Sequence, residues 1–260
     1  AAATSIERDL SILTGPELVA KYSADSSAVV FAHVVGKPVE EMALDHNPFW
    51  HYALQTWYRP ARYRKFLYLP RHRDEVAKTV LMLVLGQLDK YDGVHHQYPR
   101  RSFKSFFMKM MADWLPKRHK IADNLDVTVL YSHNLDRRAK AALESVKNMN
   151  RHNAYIKRHF GDDCVTITGR PANFVVPQSE WGEKDQWNWP CRDREFMADE
   201  KSMTAEAALS RKAGGGYNYK LLDDWESEDS RKSETIREDL ADRYDQLRQL
   251  NAPPFAREWV

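Results

Sequence analysis

The clearest pattern of apolar positions lies in the segment 102–115. After Ser102, whose hydroxyl suits a helix cap, six large apolar side chains recur at helical spacing: Phe103, Phe106, Phe107, Met110, Met111 and Trp114. Side chains spaced in this way share one face of an α-helix. The pattern predicts an amphipathic helix whose apolar stripe packs inward. Four basic residues flank the stripe: Arg100, Arg101, Lys117 and Arg118.

Capping residues, prolines and apolar spacing predict further helices. Asn47 and Pro48 open a helix that continues to Trp57, and valines at every fourth position predict a helix across 71–91. Asn134 and Gly161 bound a long predicted helix, 135–160, and a short one is predicted at 204–212. Ser233 caps a last helix, 234–250. Its apolar side chains lie near heptad spacing: Ile236, Leu240, Leu247 and Leu250.

Strand patterns are few. Alternating β-branched and apolar residues predict short strands at 126–131, 164–168 and 173–176. Glycine is scarce, with 10 residues in 260, which counts against folds built on many glycine turns, such as dinucleotide-binding sheets. We therefore expect a mainly α protein with a small β element of about three short strands and a long irregular C-terminal extension.

Charge divides the chain near Pro177. Residues 1–177 hold 26 basic and 18 acidic side chains, whereas residues 178–260 hold 13 basic and 19 acidic ones. The second segment also shows little periodicity before Ser233. These differences predict a basic, mostly helical body over 1–177, with its small sheet near 126–176, and an acidic extension over 178–260.

Two groups of residues are candidates for contact with a partner or a lipid. One is the basic set Arg100, Arg101, Lys117 and Arg118, which suits an anionic lipid head or an acidic protein surface. The other contains Trp181, Trp187 and Trp189, because tryptophan is enriched at binding hot spots, together with the apolar positions of the last helix. The alternative is that these side chains pack within the chain's own core and its solvated faces. A pI of 8.4 makes nucleic acid a less suitable partner.

The chain shows none of the common catalytic, phosphate-binding or metal-binding motifs. We therefore expect no catalysis, no cofactor and no metal. His95 and His96, together with Asp89 and Asp92, could hold a metal, because imidazole and carboxylate are both metal ligands. Histidines at a helix end also simply complement its negative terminus. Whether Cys164 and Cys191 form a disulfide stays open. No apolar run reaches the roughly 18 residues that a membrane-spanning helix needs, so none is predicted.

The chain opens with three alanines and a threonine, without methionine, which is typical of a processed organellar protein or of a trimmed recombinant chain. With this opening, its aromatic and basic helices at 49–69 and 103–115 and its extension 177–260, the chain resembles the lineage-specific accessory subunits of protist mitochondrial ATP synthases and respiratory complexes. The resemblance is one of composition and carries over no functional residue.

The resemblance implies a non-catalytic structural subunit of a large mitochondrial membrane complex, with ATP synthase preferred. Such a subunit would lie on the matrix side or at the periphery of the inner membrane and act in assembly, peripheral or dimer contacts. Its partners would be other subunits and an anionic lipid such as cardiolipin. Two alternatives stay open: a mitochondrial ribosomal protein that contacts rRNA, and an enzyme whose site is dispersed along the sequence.

Overall fold

The computed structural model describes most of the second half of the chain and parts of the first. The described residues are 9–14, 17, 47–57, 72–91, 93–95, 97, 103–160, 182, 184–189, 192, 201–210, 215–251 and 255–260. The strands predicted at 164–168 and 173–176 lie outside these residues, as do both cysteines.

Seven helices and five strands are formed within the described residues. The helices are α1 (Pro48–Thr56), α2 (His72–Val84), α3 (Lys104–Asp123), α4 (Asp136–His152), α5 (Ala154–Phe160), α6 (Glu228–Lys232) and α7 (Glu234–Gln249). The strands are β1 (Val129–His133), β2 (Gln186–Trp187), β3 (Met203–Ala207), β4 (Tyr219–Asp223) and β5 (Arg257–Trp259).

The strands form one sheet in the order β2-β3-β1-β4-β5. Strands β3, β1, β4 and β5 run parallel, and β2 pairs antiparallel to β3 at one edge. The fold is therefore α/β, and the prediction of a mainly α protein with three short strands and an irregular extension is wrong. The extension supplies four of the five strands, and β1, from the basic segment, lies at the centre of the sheet.

The missed strands lack the usual pattern for a physical reason. All five side chains of β4 are buried, so Tyr-Lys-Leu-Leu-Asp shows no alternation of apolar and polar positions. Strand β3 contains alanine and glutamate, which favour helices, and the segment was predicted as helix 204–212. Its pairing with β1 and β2 overrides that local preference.

The helix predicted from the apolar stripe is confirmed as α3, and it continues to Asp123. Every residue from Phe107 to Ile121 is buried except Lys109, because α1, α4 and the sheet surround this helix. The single helix predicted over 135–160 is interrupted at Asn153. That residue ends α4, and its side-chain oxygen accepts a hydrogen bond from the Tyr155 N–H at 2.9 Å, at the start of α5.

The two faces of the sheet pack against different helices. Val129, Tyr131 and Leu221 face the main core, which they share with α3 and α4. On the opposite face, Leu130 and Leu222 pack with Leu247 of α7. The predicted Ser233 cap of α7 is confirmed, since its hydroxyl accepts a hydrogen bond from the Ile236 N–H at 3.4 Å. None of the helices in the described part of the chain is long and apolar enough to cross a membrane.

Candidate functional site

Two polar side chains meet where the order of the parallel strands reverses. From β1 the chain crosses to β3 on one side, whereas β4 lies on the other side of β1. In open α/β sheets, ligands bind beyond the carboxyl ends of the strands at such a reversal. His133 and Asp223 are the last residues of β1 and β4, and they are directly opposite each other in the register. Topology thus places them at the position most often used for binding.

Asp223 is a buried carboxylate, and only one of its two oxygens has a hydrogen-bond donor among the described residues. Its side chain accepts the Tyr131 hydroxyl proton on Oδ2, with 2.6 Å between the oxygens. Its Oδ1 has no hydrogen-bond donor among the described residues, although the residue is only 1% exposed. A buried acceptor without a donor costs about 1–3 kcal/mol. Burial raises the pKa of Tyr131 well above its usual value, and the Asp223 charge raises it further.

His133 lies beside this carboxylate as a neutral ring. Its Nδ1 accepts a hydrogen bond from the Leu135 N–H at 3.0 Å, so the proton of the neutral ring is on Nε2. Burial lowers the pKa of His133, against the opposite effect of the Asp223 and Asp224 charges. The Lys109 ammonium also responds to the charge of Asp223. Burial lowers its pKa, and the carboxylate partly offsets that effect.

Two strained residues flank the end of β4. Asp224 has φ 44° and Phe103, the residue before α3, has φ 64°, which is the left-handed region that side-chain-bearing residues seldom adopt. Each such position costs on the order of 1–3 kcal/mol and tends to occur at ligand clamps and active sites. The ammonium of Lys104, next to Phe103, forms an ion pair with Asp224. This pair joins the start of α3 to the end of β4.

A cavity of about 710 Å³ opens at this edge, beyond the ends of β4 and β5; we call it the carboxyl-edge cavity. Its volume lies within the range of roughly 300–1,000 Å³ typical of small-molecule sites. Four aromatic side chains line it: Phe107, Trp225, Tyr244 and Trp259. Its charged lining consists of Lys104, Asp223, Asp224, Glu226, Arg231 and Arg237. The cavity is therefore aromatic with a few charged groups, as binding sites for organic molecules usually are.

A second polar cluster lies within the core at the other end of β4. His119 Nε2 and the Tyr219 hydroxyl are 2.7 Å apart, and His119 Nδ1 lies 2.7 Å from Asp123 Oδ2. Burial lowers the pKa of His119 to about 4, and burial raises the pKa of Tyr219 to about 12. Both nitrogens of the ring have partners, so this cluster forms a closed structural network.

Metal ligands do not converge in the part of the chain that the structure describes, where no group of three or more His, Cys, Asp or Glu side chains could hold an ion. His95 lines the carboxyl-edge cavity. Its sequence neighbours His96 and Asp92, weighed above as metal ligands, lie outside the described residues.

The predicted basic contact residues that the structure describes lie in the interior. The Lys117 ammonium forms an ion pair with Asp113, and both side chains are fully buried. The Arg118 guanidinium forms ion pairs with Glu17 and Asp123. Arg100 and Arg101 lie outside the described residues.

The predicted apolar contact residues are divided between the core and α7. Trp187 and Trp189 are buried in the main core, while Trp181 is outside the described residues. On α7, Leu247 is buried. Three positions there are half-buried: Ile236, Leu240 and Leu250. Leu240 lines the carboxyl-edge cavity, so one predicted contact residue belongs to the site.

Sequence reasoning missed Tyr131, His133, Asp223 and Asp224. The only local signal is a pair of adjacent acids after a short apolar run, and many surface loops share it. Comparison of the chain with protein-family models and with curated protein sequences finds no match. The site is therefore argued from its geometry alone.

Proposed function

We propose that this protein is a ligand-binding α/β domain whose carboxyl-edge cavity takes a small organic molecule. The observation that carries the proposal is the position of the cavity, at the carboxyl ends of β4 and β5 and beside the reversal between β1 and β4. Helices α3 and α7 supply its walls, so the pocket is built on regular elements rather than on loops alone. Sites on rigid elements hold a ligand with little ordering cost.

Local strain supports the same proposal. Phe103 and Asp224 both have positive φ, and the Lys104–Asp224 ion pair holds these two backbone segments together at the cavity. Strained backbone persists where the surrounding structure over-determines it, and it concentrates at sites that bind ligands. Two of the three side-chain-bearing residues with positive φ in the described part of the chain therefore lie where topology places the site, and the third, Asn124, ends α3.

The mitochondrial and accessory-subunit roles stay predictions, as does the absence of catalysis. They were inferred from composition and from an extension that lacked a core of its own. The described part of that extension now supplies strands β2–β5, and its Trp187 and Trp189 pack inside the chain. A binding domain of this kind is compatible with a subunit of a larger assembly. Native electrophoresis of the protein from its source would separate a large membrane complex, a ribosome and a small species.

The binding proposal is tested with a neutral apolar dye and two tryptophan substitutions. Ala241 is exposed on α7 and lines the cavity, whereas Ala141 is exposed on α4 and does not. Ala241→Trp would place an indole ring in the cavity and occupy part of it, and Ala141→Trp adds the same surface elsewhere. The naphthalene dye prodan should bind the wild type at one site per chain, with its emission shifted to shorter wavelength.

We expect Ala241→Trp to weaken prodan binding by about tenfold or more, and Ala141→Trp to leave it unchanged. Circular dichroism and urea unfolding of both variants would confirm that each is folded. Equal binding by the wild type and Ala241→Trp would place the dye elsewhere and contradict the proposal.

A further inference from the structure

The chemistry of the cavity narrows the class of ligand. We infer that the carboxyl-edge cavity recognises an organic amine, whose protonated nitrogen is bound by Asp223 and whose apolar body lies against the aromatic walls. The inference rests on the proposed function, because it presupposes that the cavity binds a small molecule.

The first argument is that only one of the two carboxylate oxygens of Asp223 has a donor among the described residues. Its Oδ2 has the Tyr131 hydroxyl at 2.6 Å, and its Oδ1, which is buried in the free protein, lacks a donor among the described residues. Binding therefore requires the Asp223 side chain to turn Oδ1 towards the cavity, which this residue lines. Within that same part of the chain, no salt bridge involves this carboxylate, so its charge has no directly bonded cation. An ammonium group supplies both missing elements, because it carries three N–H donors and a positive charge.

The second argument is that the other two carboxylates of the cavity already have cationic partners. Asp224 is paired with Lys104, and Glu226 lies 4.0 Å from Arg231 in a largely exposed pair. The Arg237 guanidinium donates to the main-chain oxygen of Arg231 at 3.1 Å on the exposed side of the helix pair. Among the charged side chains that line the cavity, Asp223 is therefore the buried one at which an added positive charge lowers the free energy most.

The third argument is the aromatic lining. Trp225 and Tyr244 meet edge to face with their ring centroids 6.0 Å apart, and Phe107 and Trp259 line the same cavity. The faces of aromatic rings attract cations, and they also bury the apolar part of an amphipathic molecule. A carboxylate beside aromatic walls suits an amine better than a carboxylate or phosphate ligand.

Lys109 is the residue most able to compete with a ligand's ammonium group for the position beside Asp223. Its ammonium is half-buried and responds electrostatically to Asp223, yet the described residues include no salt bridge between the two. Lys109→Gln should therefore leave amine binding intact or strengthen it. A loss of amine binding in this variant would contradict the assignment of Asp223 as the recognition group.

The test compares three probes of similar size at pH 7 by isothermal titration calorimetry: phenethylamine, 2-phenylethanol and 3-phenylpropionate. We expect phenethylamine to bind at least about tenfold more tightly than the alcohol, because a charged hydrogen bond is added to the same apolar contact. The propionate should bind most weakly, because its charge is repelled by Asp223. Asp223→Asn should reduce the affinity for the amine to that for the alcohol, while affinity for the alcohol itself stays the same.

The matched control is Asp136→Asn, which makes the same chemical change on the exposed first turn of α4, outside the cavity. It should leave all three affinities unchanged. If Asp223→Asn does not fold, Trp225→Leu tests the same idea. It should reduce the preference for amine over alcohol by about two- to fivefold, because it removes one aromatic face.

The outcomes separate this inference from the proposed function. If the alcohol and the amine bind equally and Ala241→Trp weakens both, the cavity binds ligands but the inference about amines is wrong. If the propionate binds most tightly, the recognition group is a cation and the inference is also wrong. If none of the three probes and no dye binds in a manner sensitive to Ala241→Trp, the proposed function itself fails.

Discussion

Two buried aspartates of this protein differ in how completely they are hydrogen-bonded. Asp113, in the middle of α3, accepts on Oδ2 from the Tyr52 hydroxyl at 2.8 Å and from the Trp57 indole at 2.9 Å. Its Oδ1 accepts from the Asn150 amide at 2.7 Å and pairs with the Lys117 ammonium. Asp223, at the end of β4, has one donor among the described residues, the Tyr131 hydroxyl.

The difference separates a structural role from a role in binding. The partners of Asp113 come from α1, the residue that follows it, α3 itself and α4, so the carboxylate joins three helices in the core. A buried charge is tolerated when a partner of opposite charge and several hydrogen bonds compensate it. In the part of the chain that the structure describes, Asp223 lacks that compensation, and it borders a cavity. The contrast suggests that its missing partner is supplied by a ligand.

The largest effect on stability is expected from removal of Asp113, the aspartate whose two oxygens both have partners. Asp113→Ala should lower the free energy of unfolding by about 3–5 kcal/mol, because it leaves the buried Lys117 charge and three other donors without an acceptor. Urea denaturation measures the change. Asp136→Ala, at an exposed ion pair with Lys140, should cost less than about 1 kcal/mol. A loss below 1 kcal/mol at Asp113 would show that its network contributes little.

The closed network around His119 should make stability depend on pH. The pKa of this ring is lowered to about 4 in the folded protein, against about 6.5 when unfolded. Its contribution is fully present above pH 6.5 and is lost as pH falls towards 4, because only the unfolded state then binds the proton. The loss should reach about 3 kcal/mol.

His119→Gln is the variant that isolates this effect. The difference in unfolding free energy between wild type and variant, measured by urea denaturation from pH 7 to pH 4, should shrink over that interval. A difference that stays constant with pH would show that His119 has the same pKa in both states.

Two tyrosine substitutions compare the aspartates directly. Tyr131→Phe removes the only described donor to Asp223 and should cost about 2–3 kcal/mol, because the carboxylate is then buried without a hydrogen bond. Tyr52→Phe leaves Asp113 with its other three donors and should cost about 1 kcal/mol. Chemical denaturation of the two variants side by side is the measurement. A larger loss in Tyr52→Phe would reverse the proposed contrast between the two sites.

The helices could be predicted from the sequence where their signals are local. The apolar stripe of α3 and the Ser233 cap of α7 depend on residues within one or two turns, and both were found. The parallel strands could not be predicted in this way. Strand β4 is buried on both faces and β5 has three residues, so neither shows alternation, and β3 becomes a strand only through pairing with distant segments.

The candidate site could not be predicted for a related reason. Tyr131 and Asp223 are 92 positions apart, and only the parallel pairing of β1 with β4 brings them together. The burial of Lys117 could not be predicted from the sequence either, because a lysine that flanks an apolar stripe normally faces solvent. Its partner Asp113 lies four residues earlier on the same helix, a spacing that also occurs in exposed ion pairs.

The smallest effect on stability is expected at Asp223 itself. Asp223→Asn keeps an acceptor for the Tyr131 hydroxyl and removes a charge to which no cation of the described residues is bonded. It should therefore change the free energy of unfolding by less than about 1 kcal/mol. Far-UV circular dichroism during urea denaturation measures it. A loss as large as that of Asp113→Ala would show that Asp223 is a structural residue.

The central claim is that a ligand supplies the donor that Asp223 Oδ1 lacks among the described residues. One measurement tests this claim most directly. The free energy of unfolding of the wild type and of Asp223→Asn is determined by urea denaturation at pH 7, with and without phenethylamine. At a concentration about 100 times the wild-type dissociation constant, the amine should stabilise the wild type by about 2.7 kcal/mol and the variant, which binds it at least about tenfold more weakly, by about 1.4 kcal/mol or less. Equal stabilisation of the two proteins, or none of the wild type, would contradict the account.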